Sequence, residues 1–247
     1  MLLHTQAIVL SRRRLEETSS IVHLYTAARG KMSTVAKAAR RPMSRFGSAL
    51  EPGTFVAVTI YHKENRDLHL LSSAEILTSH AELRETGELW AHLAASLELV
   101  EKLTPEEDPN QAKFILLTQL LECLPLSPLH ISLAFRLRFI AMSGFALRFG
   151  SCISCGRKLA EHAWYHPERG GFVCAKCYQF HPDAIPINGE IRGILSYLTR
   201  SPLGEAVRVK LTNANAGIID RLLNLHLRAT VEINLRTQNL VKILEGT

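Results

Sequence analysis

Four cysteines constrain the fold of this chain more than any other feature of its sequence. They form two Cys-x-x-Cys pairs with 18 residues between them. Each pair places two thiolates about one turn apart, and two such pairs complete the tetrahedral shell of Zn²⁺. Glycines at 156, 170 and 171 supply the turns of a zinc ribbon. The sequence therefore predicts one structural Zn²⁺ with no open coordination position, held by Cys152, Cys155, Cys174 and Cys177.

Two other interpretations of the cysteines are weaker. Disulfides or free thiols are disfavoured because the chain is expected to be cytoplasmic: its first residues lack the basic region of a secretory signal, and no apolar run reaches membrane length. A zinc deaminase is suggested by His80-Ala81-Glu82. It is disfavoured because Ser151 stands where that motif requires proline, and because a second Cys-x-x-Cys would oversupply the metal with thiolates. Five other histidines show no ligand spacing to one another and are expected to be solvated or capping: His62, His69, His162, His166 and His181. A zinc site closed by four thiolates stabilises the fold and does not activate water.

The first 80 residues read as β-structure. Short runs rich in β-branched and aromatic residues alternate between apolar and polar positions, and turn residues separate them. Five short strands with a longer gap between the third and fourth have the element order of an OB-fold barrel, although an SH3-like barrel would give nearly the same pattern. The predicted strands cover 2–10, 21–26, 31–38, 54–61 and 68–77.

Beyond residue 80 the apolar residues recur with helical spacing. Leu89, Leu93, Leu97 and Val100 fall on one face of a helix that should stop before Pro105. The overall prediction is a multi-domain α+β protein: an OB-fold over 1–80, an α-helical domain over 81–150 and 183–247, and an inserted zinc ribbon over 151–182. Further predicted helices cover 111–124, 129–149, 189–198, 213–227 and 237–244. The segment PEEDPN at 105–110 is expected to be a polar linker, and Arg136 and Arg138 are expected on an exposed edge of the helix over 129–149.

Positive charge is concentrated at the start of the chain. Residues 1–66 hold 11 Lys and Arg but only 4 Asp and Glu, a net charge of +7, and the other 181 residues sum to −1, which gives the formal net charge of +6. A basic barrel on a nearly neutral body is typical of a protein with a polyanionic partner, either nucleic acid or an anionic membrane surface.

The stretch 30–52 carries much of this charge. A predicted strand leads into a loop with Arg40-Arg41-Pro42, an arrangement suited to gripping phosphates. Tyr25, Phe46 and Tyr61 could stack on bases, but a core role is favoured for each. The residues predicted to contact nucleic acid are Arg12, Arg13, Arg14, Lys31, Lys37, Arg40, Arg41, Arg45, Lys63 and Arg66.

These features together resemble the RecO family of bacterial recombination mediators. The resemblance rests on the segment AKAARRPMSRFGSALEP at 36–52, the strand TFVAVTIY that follows it, the late cysteine quartet and, more loosely, RTQNLVKIL at 236–244. Some members of the family lack the cysteines. Because this chain has all four, zinc is expected here.

The resemblance implies a non-enzymatic role in DNA repair and homologous recombination. It implies binding of single- and double-stranded DNA, annealing of complementary strands, and help to RecA in replacing SSB on single strands. The implied partners are RecR and the acidic C-terminal tail of SSB, with RecF as a further candidate. No membrane partner is expected, and the implied location is the cytoplasm, at the nucleoid. A competing interpretation is an RNA-binding ribosome or tRNA factor, since basic OB-folds and zinc ribbons also occur there.

Overall fold

The computed structural model describes residues 1–64, 66–181 and 183–237. The helix predicted over 237–244 lies outside these residues apart from its first position. The described chain divides into two compact units, one of Met1–Pro125 with Thr237, the other Leu126–Arg236. The domain boundaries predicted near 80, 150 and 182 follow changes of element type rather than compactness, and they remain a prediction.

The first unit contains a closed five-stranded barrel with the strand order β1-β2-β3-β5-β4. Neighbouring strands are antiparallel except β3 and β5, which pair in parallel and close the barrel. This order is that of an OB-fold and decides against the SH3-like alternative. Alternating apolar residues fill the interior, as the period of a strand requires. The strands are β1 (Leu2–Leu15), β2 (Ser19–Thr26), β3 (Gly30–Ala36), β4 (Phe55–Tyr61) and β5 (His69–Thr78).

Strand β1 is longer than predicted. The sequence suggested an end at residue 10, but the strand continues to Leu15 because its pairing with β2 resumes after a bulge between Val9 and Ser11. The additional pairs include Arg12 with Val22 and Arg14 with Ser20. The arginine run is therefore part of a strand, with the tight β1–β2 turn directly after it.

Two helices pack against the outside of the barrel within the first unit. Helix α1 (Gly87–Leu103) begins at Thr86, whose side chain accepts a hydrogen bond from the Leu89 N–H, and it ends before Pro105 as predicted. Helix α2 (Gln111–Cys123) is capped in the same way by Asn110. Phe114 of α2 stacks on Tyr25 of β2, with ring centroids 6.3 Å apart.

The linker between α1 and α2 runs directly over the β2–β3 turn. Gly30 has a φ of +68°, and a Cβ built there would lie 2.2 Å from the Asp108 carbonyl oxygen. The position therefore requires glycine for two reasons: its backbone conformation is left-handed, and the linker leaves no room for a side chain. The linker that the sequence suggested to be merely polar is thus packed onto the barrel.

The second unit begins with α3 (Pro128–Met142), which is shorter than predicted. It ends before residue 149 because Gly144 adopts a φ of +92° and breaks the helix. Arg136 was expected on an exposed edge, but it is buried and lies 2.6 Å from Asp220. The other elements of this unit are β6 (Ala163–His166), β7 (Gly171–Val173), α4 (Ala175–Tyr178), β8 (Ile185–Ile187), α5 (Gly189–Arg200) and α6 (Asn213–Val231).

Short 3₁₀ segments join several of these elements. They cover Gly47–Leu50, Ala81–Arg84, Leu124–Leu126 and Leu203–Arg208. Within the described part of the chain, none of the helices has the length and apolar character needed to cross a bilayer.

Candidate metal centre and nucleic-acid interface

The four predicted cysteines meet at one point in the second unit. The sulfur atoms of Cys152, Cys155, Cys174 and Cys177 all lie within 4.8 Å of one another. The Cys155 and Cys174 sulfurs are 3.8 Å apart. Four thiolates bound to one Zn²⁺ at about 2.3 Å would be separated by a little under 4 Å. The group is therefore close enough to bind a metal ion, as its spacing in the sequence predicted.

Two knuckles and a small sheet hold the cysteines in place. In the first knuckle the Gly156 N–H donates to the Cys152 carbonyl at 2.9 Å, and Gly156 adopts a φ of +73°. In the second, the Cys177 N–H donates to the Cys174 carbonyl at the start of α4. The strands β6, β7 and β8 form the three-stranded sheet beside them. Glycine is needed at 156 because the turn of the knuckle takes the left-handed conformation.

The thiols of this group are electrostatically unequal. Burial opposes ionisation of Cys152, but the backbone N–H groups of Cys174, Cys155 and Ser154 outweigh it and lower the pKa of Cys152 to about 6. The pKa of Cys174 is also lowered, chiefly by the backbone N–H of Cys177. In the opposite direction, the hydrogen bond with the Cys155 thiol raises the pKa of Cys177 to about 12. Backbone donors that favour thiolates are what a metal centre needs, because the thiolate is the ligand.

The predicted nucleic-acid contacts do not form a single surface, and the largest group lies where the β1–β2 turn meets the β3–β4 loop. The Arg40 N–H donates to the Thr18 carbonyl at 2.9 Å, and its guanidinium donates to the Glu17 and Glu16 carbonyls at 2.9 and 3.3 Å. The group, called the open end from here on, consists of Arg14, Lys37, Arg40, Arg41 and Arg45, and all of these are exposed.

The open end keeps its positive charges available. Among the residues that the structure describes, no carboxylate lies within ion-pairing distance of any of its five members, although Glu16 and Glu17 sit on the adjoining turn. The Arg45 guanidinium lies 5.0 Å from the centre of the Phe46 ring, which orders it without neutralising it. Arg12 has a different role there: it bonds Glu51 at 3.2 Å and the Ala39 carbonyl at 3.0 Å, and so fastens the loop to the barrel.

A second group lies on the outer face of β2 and β3, under the end of α1 and the linker. Glu101 binds Arg13 at 2.8 Å, and its backbone carbonyl accepts from the Lys31 ammonium at 2.9 Å. Glu106 lies 3.5 Å from the Lys31 ammonium and accepts from the Ser33 hydroxyl at 3.0 Å. This covered face consists of His23, Tyr25, Lys31 and Ser33, and the exposed Arg13 of β1 lies at its edge. Its two predicted contacts, Arg13 and Lys31, already have acidic partners.

The remaining predicted contacts, Lys63 and Arg66, follow strand β4. Leu2 pairs with Tyr61 and Leu15 with Ser19, so the β4–β5 loop and the β1–β2 turn lie at opposite ends of β1. Both side chains are exposed. They are therefore separated from the open end by the length of the barrel.

Two of the three aromatic candidates belong to the core, as the sequence pattern favoured. Tyr25 and Phe46 are buried, whereas Tyr61 is exposed at the end of β4. Burial raises the pKa of Tyr25 to about 12, because the ionised phenol would be desolvated under α2.

Comparison with known proteins adds to this geometry. Residues 1–80 match the family model described as Recombination protein O N terminal, and residues 84–239 match Recombination protein O C terminal. This chain belongs to the RecO family.

Individual RecO relatives agree with the family models. The DNA repair protein RecO of Koribacter versatilis is 33% identical over 82% of this chain and 83% of its own length. That of a Nocardioides species is 36% identical over 72% and 75%, respectively. The protein of the same name from Symbiobacterium thermophilum is 28% identical over 99% of this chain and 98% of its own. The similarity thus extends through the barrel, the helices and the ribbon.

One group in this RecO chain was missed by sequence reasoning. His62, His69 and Glu107 place their ligand atoms within 4.8 Å of one another. Both histidines were expected to be solvated or capping, but both are buried. Burial, followed by the charge of His62, lowers the pKa of His69. A seven-residue separation is no recognised ligand motif, and the linker that supplies Glu107 is distant in sequence, so no local pattern could have found the group.

His80 and Glu82, the pair that suggested a deaminase, form only a local contact of 3.5 Å. Among described residues, the groups with metal-binding geometry are the cysteine quartet and the His62–His69–Glu107 cluster, and neither includes this pair.

Proposed function

We propose that this RecO-family protein binds single- and double-stranded DNA through the open end of its barrel, anneals complementary strands, and assists RecA in loading onto SSB-coated single strands. The observation that carries the proposal is the group of five exposed cations at the open end, none paired with a carboxylate within the described residues. Membership in a family of DNA repair proteins supports DNA as the polyanion.

The proposed contact is with phosphates rather than with base edges. Arginine and lysine side chains that neutralise phosphates release counterions, which provides affinity without reading the sequence. The same neutralisation lowers the repulsion between two approaching strands, and annealing requires this physically. A single strand touched by all five cations should bind with a salt slope of about −3.5, from about −0.7 per contact.

The contacts of the loop decide which variant tests this proposal. Arg40 holds the β1–β2 turn through backbone carbonyls, so its replacement would alter the loop as well as the charge. Lys37 and Arg41 are exposed and make no such bond among the described residues. The variant Lys37→Ala/Arg41→Ala therefore removes two charges while leaving the known loop contacts in place.

Lys63→Ala/Arg66→Ala is the matched control, because it removes the same charge from the opposite end of the barrel. At 0.1 M salt the first variant should bind single-stranded DNA about 25-fold more weakly, with a salt slope shallower by about 1.4. The control should change affinity by less than about twofold, because its charges lie beyond the screening length of the open end. Fluorescence anisotropy measures the affinities, and a two-strand assay measures annealing.

Three results would contradict the assignment. Unchanged affinity and annealing in Lys37→Ala/Arg41→Ala would remove the open end from the mechanism. Equal losses of DNA affinity in the two variants would indicate that binding responds to total charge. Lys63 and Arg66 would then contribute to binding as much as Lys37 and Arg41 do. Preference for structured RNA over single-stranded DNA would favour a ribosome or tRNA factor.

We also propose that the cysteine quartet holds one structural Zn²⁺ through Cys152, Cys155, Cys174 and Cys177. Support comes from the chemistry of four thiol ligands within 4.8 Å and from the backbone donors that favour thiolates. Four protein ligands would leave no position for substrate, and the role we propose for the chain is therefore binding rather than catalysis. RecR, the SSB tail and RecF are proposed as partners on the family resemblance, with action at the nucleoid in the cytoplasm.

A further inference from the structure

A second cluster of metal-ligating side chains lies at the end of the barrel opposite the open end. Here the end of β4, the start of β5 and the α1–α2 linker converge. Each supplies one side chain with a metal-ligating atom: His62, His69 and Glu107. The three residues are spread over 45 positions of sequence and meet only through the fold.

The cluster has short distances and little exposure. One carboxylate oxygen, Glu107 Oε1, lies 2.7 Å from His62 Nε2 and 3.0 Å from His69 Nε2. The two imidazole rings stack with their centroids 4.5 Å apart. The side chains of His62 and His69 are only 8% and 2% exposed, whereas that of Glu107 is 31% exposed. Two buried nitrogen donors thus converge on an oxygen at the rim of the cluster.

The backbone of Glu107 takes a conformation that is unusual for a residue other than glycine. Its φ is +52°, a left-handed conformation that few non-glycine residues adopt. Its N–H donates to the Lys31 carbonyl at 2.8 Å, which fixes the position against β3. Its second oxygen lies 3.6 Å from the Arg29 guanidinium. Strain of this kind persists only where the surroundings hold it, and it concentrates at functional sites.

We propose that His62, His69 and Glu107 form a second metal site, which binds a divalent transition-metal ion, Zn²⁺ being the best match. Two imidazole nitrogens and one carboxylate oxygen are a donor set that Zn²⁺ accepts, with a fourth position left for water at the exposed side of Glu107. Calcium and magnesium fit poorly, because they require mainly oxygen ligands. The site is chemically distinct from the cysteine quartet, and the inference does not depend on the proposed DNA binding.

Accommodating the ion requires the ligand atoms to move apart and the stacked rings, whose planes are 26° apart, to turn until both Nε2 lone pairs point at one position. Tetrahedral ligands about 2.0–2.1 Å from Zn²⁺ stand about 3.3 Å apart, so the donors must separate by a few tenths of an ångström from their present 2.7 and 3.0 Å. Coordination through His69 Nε2 leaves the ring proton on Nδ1. The 3.3 Å hydrogen bond that His69 Nδ1 accepts from the Lys63 N–H must therefore break. The ion would join the linker to two strands of the barrel.

Zinc titration of the full-length protein tests the proposal. Protein first loaded with one equivalent of Zn²⁺, which the cysteine quartet takes, is titrated with further Zn²⁺ against a chromophoric chelator, and bound metal is counted by mass spectrometry. Wild type should bind a second equivalent. Glu107→Gln and His69→Gln should each weaken the second site by at least about tenfold, and binding of the first equivalent should remain.

Control variants and spectra keep the test decisive. His80→Gln changes another buried histidine beside a glutamate and should retain both equivalents. Cobalt substitution should give sulfur charge-transfer bands from the first site and only weak visible bands from the second. If His69→Gln fails to fold, Glu107→Gln, on the exposed rim, decides. A wild type that stops at one equivalent, or variants that keep two, would overturn the proposal and leave a hydrogen-bonded triad.

Discussion

The covered face and the open end of the barrel are both lined by basic side chains, yet their surroundings differ. At the covered face, Glu101 and Glu106 engage Arg13 and Lys31. At the open end, Arg41 and Lys37 extend from the β3–β4 loop without an acidic partner among the described residues. A run of basic residues in a sequence therefore says little about a binding surface until the acids that fold onto it are known.

The difference concerns where an OB-fold usually binds. Members of this class commonly bind single strands on one face of the sheet and with the adjoining loops. In this chain the β2–β3 face carries two carboxylates, the linker and helix α2, so a strand would have to displace them. The loops at the open end carry no such obstruction within the described residues of the first unit. We therefore expect the loops to do the binding.

The largest effect should follow from removing the metal of the second unit. Cys155→Ser leaves three ligands, and apparent binding free energies of such sites are about 10–16 kcal/mol in zinc-finger peptides, so the ribbon should lose its structure. Single-stranded DNA affinity should change by less than about twofold, because the open end belongs to the first unit. Metal content, limited proteolysis and anisotropy measure this. A large loss of affinity would add the ribbon to the interface.

A smaller effect should follow from truncating a buried side chain of the covered face. Tyr25 is buried and packs on Phe114, so Tyr25→Ala should lower the free energy of unfolding by about 3–5 kcal/mol in urea titrations. Tyr25→Phe removes only a 3.5 Å hydrogen bond to the Asn110 carbonyl and should cost less than about 1 kcal/mol. If Tyr25→Ala instead weakened DNA binding while stability was unchanged, Tyr25 would be a stacking platform and the face would not be covered.

The smallest effect should come from neutralising the acids that cover the face. Glu101→Gln/Glu106→Gln removes two negative charges and the ion pairs of Arg13 and Lys31, while the bond from Lys31 to the Glu101 backbone carbonyl remains. If both cations reach phosphates, the salt slope for single-stranded DNA steepens by about 1.4, with a modest gain in affinity at low salt. Adding Arg13→Ala should reverse about half of the change. An unchanged slope would mean that helix and linker block the face sterically, whatever its charge.

The sequence predicted the barrel and the cysteine quartet well because both depend on patterns among residues that are close in the sequence. Strand periodicity, turn glycines such as Gly30 and the spacing of Cys152 and Cys155 are properties of neighbouring residues. The extension of β1 through Arg12–Arg14 was missed because a bulge interrupts the pairing. A run of charged residues such as Arg12–Arg14 also favours the prediction of a loop, because the sequence does not show which strand pairs with it.

What the sequence could not reveal is which distant residues fold together. Glu101 and Glu106 gave no indication of covering β2 and β3. The linker was predicted only to be polar, yet its Glu107 contacts two histidines. Arg136 was taken for an exposed charge because Asp220, its partner, lies 84 positions further along the chain. These pairings depend on long-range packing that no helical or strand period encodes.

The packing of α1 and α2 on the barrel bears on how the protein should be dissected. A truncation at residue 80, between the two matched family models, would strip the aromatic surface around Tyr25 and Phe55 of Phe114 and return Lys31 to solvent. Such a fragment would have an adhesive hydrophobic patch and a spurious cationic groove, and would overstate nucleic-acid binding. A recombinant fragment ending at Pro125 keeps α1, the linker and α2, which cover both the hydrophobic patch and the cationic groove.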